Sequence, residues 1–565
     1  MSEVDLGPLR AAVGDAEALV AASLFHVREA CADAGQFVAQ RMDDHQQVIY
    51  DLSVSTAELA AAGCLLDFAE GHRDILPDLA AIYAADAVAN TLARLMRSPD
   101  DFGVSLAELQ GFDRTGITGT LASRNLARTG ARIAAAGGDL GERGLDEEKS
   151  MMARTFRQFA DNVVSPLAER IHRQDQTIPD EILDGLRELG CFGLSVPTRY
   201  GGLLPDDQED SLGMIVVTEE LSRASLGAAG SLITRPEIMA RALLEGGTPP
   251  QQAYWLPKLA AGHPLCAIAI TEPDYGSDVA SMQMRARPVD NGWKLSGAKT
   301  WSTFAGKAGV LLTLARTDPD PALGHRGLTL FMVEKPSDDG DEIDVTQPGG
   351  GRLTGYAIPT VGYRGMHSFQ LYFDDFFVPA SHVVGEGQGV GKGFYLTMRG
   401  FMGGRIQTAA RACGLMQAAF EQAITYGSDR KVFGRPVSDY QLNQVKLARM
   451  AAQLAAARQY TYAVGRLMDQ GLGQMEASLV KLFACKAAEW ITREAMQIHG
   501  GMGYAEESAV SRYWLDARVL SIFEGTEETL ALKVVGRHLV EKATMTGRSR
   551  LARQPLKPDN VAGKN

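Results

Sequence analysis

Near the C-terminal end, the run Leu520-Ser521-Ile522-Phe523 delivers a carboxylate into a glycine turn, Phe523-Glu524-Gly525-Thr526. An acid leaving an apolar segment beside a glycine is either a helix-end feature or a base held in a dry pocket, where loss of water raises a carboxylate's basicity. Two further segments carry groups suited to a planar polar ring. In "AIAITEPDYGSD" the strand-like residues end on Ile270 and Thr271, and Ser277 follows a glycine step, so hydroxyls gather at a strand end. In "SGAKTWSTFAGKAG" Trp301 and Thr303 stand two apart, a spacing that puts both side chains on one face of a strand. An indole beside hydroxyl donors fits the flank of a planar heterocycle. Taken singly, these segments read equally well as a hairpin turn and a core tryptophan.

Patterning supplies the elements that position these groups. The 565 residues exceed what one core holds, and about 100–200 residues per domain predicts three or four domains. Residues 1–148 are rich in Ala, Leu and helix formers with helical spacing, which predicts a helical N-terminal extension. A second helical domain follows over 149–265. From 266 to 386 strand signals dominate: "WKLSG", "VLLTLART", "LTLFMVEK" and "SFQLYFDDFFVP" are β-rich and separated by turn residues. Residues 387–545 return to long Ala-rich helices that suit a bundle, and 546–565 form a polar tail. Within the β region "PSDDGDEIDVTQPGGGRLTG" reads as a mobile surface loop, and its acids as a solvated face rather than a metal site. The glycines of "GEGQGVGKGF" lack the Lys-Ser/Thr step and βαβ context of a phosphate loop, so a connection between the β module and the following helix is expected. Gly500 and Gly501 in "QIHGGMGY" end a helix or let a backbone approach a pyrophosphate.

Composition excludes several classes. A net charge of −13 argues against a nucleic-acid surface. Six scattered cysteines without a C-x-x-C pair argue against a zinc site or a disulfide framework, and no metal is expected. With 45% hydrophobic and 22% charged residues and no long apolar run, no membrane span is expected. The start "MSEVDLGPLRAAVGDAEALV" lacks a basic, then apolar, leader, so a cytoplasmic location is expected.

In order along the chain, "ELGCFGLSVPTRYGG", "TEPDYGSD", "TWSTFAGKAG", "IPTVGYRGMHSFQLYFDDFFVP", "DRKVFGRPVSDYQ", "QIHGGMGY" and "FEGTEET" resemble signatures of the flavin-dependent acyl-CoA dehydrogenase family, over roughly residues 149–545. The resemblance implies that fold: a helical domain, a β-barrel-like domain and a C-terminal four-helix bundle, here behind an extra helical N-terminal domain. It implies FAD, with Thr271 at the pyrimidine end of the flavin, Ile270 against the ring, Ser277 near both FAD and CoA, Trp301 flanking the isoalloxazine and Thr303 toward N5 and O4. Arg430 and Phe433 resemble residues that reach the FAD of a neighbouring subunit, Arg430 at the pyrophosphate. Gln441, Gln497, Gly500 and Gly501 match positions at the other end of the dinucleotide, and Thr526 and Glu528 also match cofactor positions. A shared site implies a homodimer or homotetramer, and the family's electron acceptor is electron-transferring flavoprotein. Glu524 matches the catalytic base that removes the α-proton of an acyl-CoA thioester, with Gly525 leaving room for the thioester and Arg405 where the family keeps an arginine. Gly404 stands where some members carry the base instead.

Arg235, before Pro236, lies in a segment that lines the acyl end in members of the family. There it suits a substrate carboxylate, which is costly to bury unless paired; the alternative is a surface arginine paired with Glu237 or Glu245. A short or branched-chain monoacyl-CoA substrate, or a flavoprotein scaffold acting through its N-terminal bundle, are the competing readings.

Overall fold

A computed structural model describes residues 4–544, so the predicted tail 546–565 lies outside the described residues. Helices α1 (Gly7–Ala30), α2 (Gln46–Ala69), α3 (Leu76–Leu95) and α4 (Ser123–Ala135) form the N-terminal bundle. The segment Ala39–Ala69 is long and apolar enough to cross a membrane, contrary to the expectation from sequence. Burial accounts for its composition: Ile49, Leu52, Leu65 and Leu66 are fully enclosed in the core that the bundle shares with the C-terminal helices. The next domain opens with α5 (Glu147–Phe159), capped by Asp146 accepting from Lys149 N–H, and includes α6 (Ser211–Ala224) and α7 (Thr234–Gly246).

The central domain is a curled eight-stranded sheet. Its strands are β1 (Cys266–Ala269), β2 (Arg285–Val289), β3 (Gly292–Thr303), β4 (Val310–Arg316), β5 (Leu328–Glu334), β6 (Glu342–Thr346), β7 (Arg352–Ile358) and β8 (Ser368–Pro379). They lie in the order β1-β4-β2-β3-β8-β7-β6, with β5 pairing β4. Strand β4 is a continuous apolar run because nearly every residue is enclosed. In β8, Phe369, Leu371 and Phe373 are buried and Tyr372 is exposed, as alternation predicts, whereas Gln370 is buried against that expectation, between β3 and β7 in the sheet. The acidic stretch expected to be a loop is instead the β6–β7 hairpin at the edge of the sheet, turned by Gly350 and Gly351 at positive φ. Its strands pair in full, Glu342 with Tyr356 through Thr346 with Arg352, and Asp339 of the preceding turn pairs with Lys307 at 2.9 Å.

The glycine-rich connection leads into α8 (Gly393–Asp429), with Gly391 N–H bonded to the Thr329 hydroxyl at 2.9 Å. Helices α9 (Gln441–Met468), α10 (Gln474–His499) and α11 (Ala509–Leu520) complete the C-terminal bundle. The N-terminal bundle docks on it closely. A side chain at Gly130 of α4 would strike the Gln444 carbonyl of α9, Arg449 forks onto Asp86 at 3.0 and 3.1 Å, and the Ser53 hydroxyl donates to the Ala531 carbonyl at 2.8 Å. The domain arrangement of helices, sheet and helices agrees with the expectation, and the extra helical domain lies ahead of it.

Candidate active site

The turn after α11 places Glu524 by backbone constraint. Glu524 has φ of 55° and Gly525 φ of 93°, a left-handed pair that costs little at the glycine but is unusual at a glutamate. Thr526 ends the turn by capping the next helix, its hydroxyl accepting from Thr529 N–H at 3.2 Å. From α10, the buried Lys481 ammonium donates to the carbonyls of Phe523 and Gly525, one on each side of Glu524. The carboxylate oxygen Oε2 of Glu524 is enclosed and has no hydrogen-bond partner. A Cβ at Gly404 of α8 would lie 2.7 Å from that oxygen, so no second carboxylate fits at position 404 beside this one. Glu524 is thus the acid available there, held without an internal donor and free to take a proton from outside the chain.

Cations surround it. Burial lowers the basicity of Arg405, Arg411 and Lys481, and the nearby Glu524 charge opposes that fall in each; Lys481 is pushed down to about 8. Arg405 donates to the Ser478 hydroxyl at 3.1 Å and leaves its Nε enclosed without an acceptor. Arg411, 2% exposed, donates to the Thr234 hydroxyl at 2.5 Å, lies 5.1 Å over the Phe523 ring, and also leaves Nε unpaired. Position 411 was not singled out from sequence. The signal was the helical spacing of Gly404, Gln407 and Arg411 on one face of α8. Gln407 accepts from Thr234 at 2.7 Å, which ties this face to α7.

Arg235 opens from α7 toward the same region. Its donors reach the Thr303 carbonyl at 3.3 Å, the Ser231 carbonyl at 2.7 Å, the Met366 sulfur at 3.7 Å and the Tyr363 hydroxyl at 3.3 Å. The surface-pair alternative fails, because Glu237 bonds Arg241 at 2.9 Å and Glu245 pairs with Arg399 at 2.8 Å. Tyr363 has φ of 57°, its N–H is held by Asp516 at 2.7 Å, and its ring meets Phe523 edge-on at 5.5 Å. Tyr363 therefore links Arg235 to Phe523, the residue preceding Glu524. Enclosure raises the Asp516 carboxyl to about 6, against the pull of Arg512 and the Tyr363 N–H.

The residues expected around a flavin gather on the sheet. Pairing of β3 with β8 runs Ser302 to Phe369 and then Lys299 to Leu371, so β3 carries one extra residue, a bulge at Thr300 and Trp301. The bulge gives Trp301 φ of 56° and leaves its indole 56% exposed. Thr303 stands on the same face, its hydroxyl 2.8 Å from that of Ser368. The Thr271 carbonyl accepts from Thr300 N–H at 2.8 Å, which brings the β1 end beside the bulge, with Ile270 4% exposed. Thr529 donates to the Ser277 hydroxyl at 3.1 Å, joining this loop to the Glu524 segment; Glu528 is exposed in the same helical turn. An indole this exposed, aimed out of the sheet by a bulge and flanked by hydroxyls, is the platform a planar cofactor requires, and these residues fit FAD.

Arg430, Phe433, Gln441, Gln497, Gly500 and Gly501 are exposed at the far end of the bundle. Phe433, 98% exposed with φ of 49°, tips the hairpin after α8. At ~1.5 Å per residue Arg430 is ~39 Å along α8 from Gly404, so these residues form a second group that one chain does not bring to Glu524. His499 ends α10, its ring stacked 4.3 Å from Tyr426.

Models of the acyl-CoA dehydrogenase N-terminal, middle and C-terminal domains match residues 146–263, 267–376 and 391–540. The chain is 42% identical over 403 residues to (2S)-methylsuccinyl-CoA dehydrogenase of Cereibacter sphaeroides, covering 71% of each. It is 32% identical to the mitochondrial short-chain specific acyl-CoA dehydrogenase of Bos taurus, over 70% of this chain and 91% of that one. Among solved structures, butyryl-CoA dehydrogenase of Megasphaera elsdenii superposes with a TM-score of 0.64 at 32% identity, over 70% of this chain and 99% of the other. A glutaryl-CoA dehydrogenase in complex with glutaryl-CoA gives 0.64 at 28% identity, over 71% and 97%. With three domains matched in order, a shared fold and a flavin platform beside a half-buried acid, the chain belongs to the acyl-CoA dehydrogenase family of FAD-dependent oxidoreductases acting on CH–CH bonds.

Proposed function

We propose that this enzyme dehydrogenates a short branched acyl-CoA whose acyl chain ends in a carboxylate, with (2S)-methylsuccinyl-CoA as substrate and mesaconyl-CoA as product, in the ethylmalonyl-CoA pathway. One observation carries the choice of a diacid: Arg235 and Arg411 converge on the Phe523–Glu524 turn with only neutral hydrogen-bond acceptors. Glu237, whose field reaches Arg411 from a distance, is itself bonded to Arg241. Arg411 is enclosed and Arg235 half-buried, neither is hydrogen-bonded to a carboxylate, and a substrate carboxylate supplies that partner with charge-assisted bonds. The similarity to the Cereibacter sphaeroides enzyme supports the same choice.

FAD, when bound, supplies the acceptor for the hydrogen leaving the β-carbon. Glu524 takes the proton from the α-carbon, its unpaired Oε2 being the acceptor atom. Gly404 leaves space along that carboxylate, and Gly525 keeps the approach of the thioester free of a side chain. Ile270, Thr271, Ser277, Trp301 and Thr303 hold the flavin, with Thr526 and Glu528 beside the cofactor, while Arg405 supports the thioester side of the base. Arg430, Phe433, Gln441, Gln497, Gly500 and Gly501 reach the dinucleotide of a neighbouring copy, which makes the working unit a homodimer or homotetramer. Electrons pass to electron-transferring flavoprotein.

Anaerobic addition of (2S)-methylsuccinyl-CoA, butyryl-CoA or isovaleryl-CoA, followed by flavin absorbance, tests the substrate. The diacid thioester is expected to bleach the flavin fast and the monoacids slowly, and Arg235→Ala to cost the diacid about 2–5 kcal/mol in kcat/KM while sparing the monoacids. Bleaching by the monoacids alone overturns the diacid reading.

A further inference from the structure

Lys481 is 1% exposed at the middle of the C-terminal bundle, and its ammonium spends its hydrogen bonds on the two carbonyls that bracket Glu524. Among the described residues it forms no ion pair with a carboxylate. Its neighbours are ionisable on every side: Glu524 from the turn, Arg405 and Arg411 from α8, and one turn further along its own helix the Cys485 thiol, which burial pushes up to about 12 and so keeps neutral. A buried lysine bonded only to carbonyls is an expensive arrangement. It persists here where the backbone is in the left-handed region, at Glu524 and again at Gly525.

We propose that Lys481 is the positioning residue of the base: its ammonium holds Glu524 in the left-handed turn by donating to the carbonyls on both sides. This rests on Glu524 being the base. Losing both hydrogen bonds frees the turn, and misplacing a base by about an ångström costs roughly 10²-fold in rate. Burial, the largest influence on Lys481, brings its own ionisation down to about 8, so the clamp weakens in a range where an arginine would not.

The test is the rate constant of flavin reduction at saturating thioester, measured by anaerobic stopped flow from pH 6 to 10, using whichever of the three thioesters above bleaches the flavin. The flavin-loaded wild type, Lys481→Met, Lys481→Arg and Glu524→Gln are compared. Lys481→Met is expected to lose roughly 10²-fold in the rate constant with KM unchanged. The wild type is expected to lose rate as pH rises through about 8, and Lys481→Arg to retain most of the rate without that loss. A wild-type rate constant in Lys481→Met while Glu524→Gln is inactive overturns the proposal, as does a basic limb that persists in Lys481→Arg. If Lys481→Arg does not fold, a wild type with no fall in rate near pH 8 overturns it equally. Full activity in Glu524→Gln instead refutes the assignment of the base.

Discussion

Beneath the strand end that carries Thr271, the fully buried Lys299 donates to the Ile270 carbonyl at 2.8 Å and pairs with Glu272 at 3.0 Å. Beneath the turn that carries Glu524, Lys481 meets two carbonyls and no paired acid. Burial pulls both ammonium groups to about 8, so the cost of enclosure is similar. What differs is the charge left over. Glu272 neutralises Lys299 and also accepts from Gln283 N–H at 2.7 Å and Met284 N–H at 2.8 Å, so this pair stitches the β1 end to the loop that follows it. Around Lys481 the remaining field falls on Glu524. The strand end that carries Thr271 is held by a closed, locally neutral network; the turn that carries Glu524 is held by a cation with no acid of its own other than the Glu524 carboxylate nearby.

The sharpest way to break this contrast is Glu524→Gln. Rate of flavin reduction is expected to fall by about 10²–10⁴-fold with the flavin still bound, since general-base removal has that magnitude; an active variant would place the chemistry elsewhere. Next in size is Lys299→Met, which leaves Glu272 buried without its cation. A loss of about 3–5 kcal/mol is expected in the denaturant midpoint, together with flavin release. If Lys299→Met instead slows reduction of the flavin that stays bound as much as Lys481→Met does, the two lysines do the same work and the contrast is gone. The smallest effect is a pH trend. Both lysines ionise near 8 in the folded chain and near their ordinary 10.5 when unfolded, so between those values the unfolded chain holds more protons and stability rises with pH. Thermal unfolding of the wild type should therefore gain on that of Lys299→Met from pH 8 to 10.5, the gain being absent below 8.

Much of the domain order was legible because it rests on local periodicity. Apolar spacing marked the helices, and alternation at Phe369, Leu371 and Phe373 marked β8. The β6–β7 hairpin was missed because it lies at the sheet edge, where Glu342, Asp344 and Thr346 face out and only Ile343 and Val345 turn inward; acids and glycines then outweigh a short alternation. Helix α2 was missed as a candidate span because its apolar residues serve a core shared between two bundles rather than one face. At the site, Glu524, Gly525, Trp301 and Thr303 stood out through turn and strand context. Arg411 and Lys481 did not, since an arginine and a lysine in Ala-rich helices are ordinary surface residues until their surroundings are known.

Residue order alone settled the order of helical and β domains and which segments end on a hydroxyl, an indole or an acid, because backbone geometry and local periodicity act over a few residues. It could not settle which charges meet. Arg235 finding Tyr363, Arg411 finding Thr234 and Lys481 closing on Phe523 and Gly525 each join distant parts of the chain. Whether a buried cation is neutralised by an acid, as Lys299 is, or left facing Glu524 without a paired acid depends on packing between elements, and electrostatics in a dry interior acts on that placement alone.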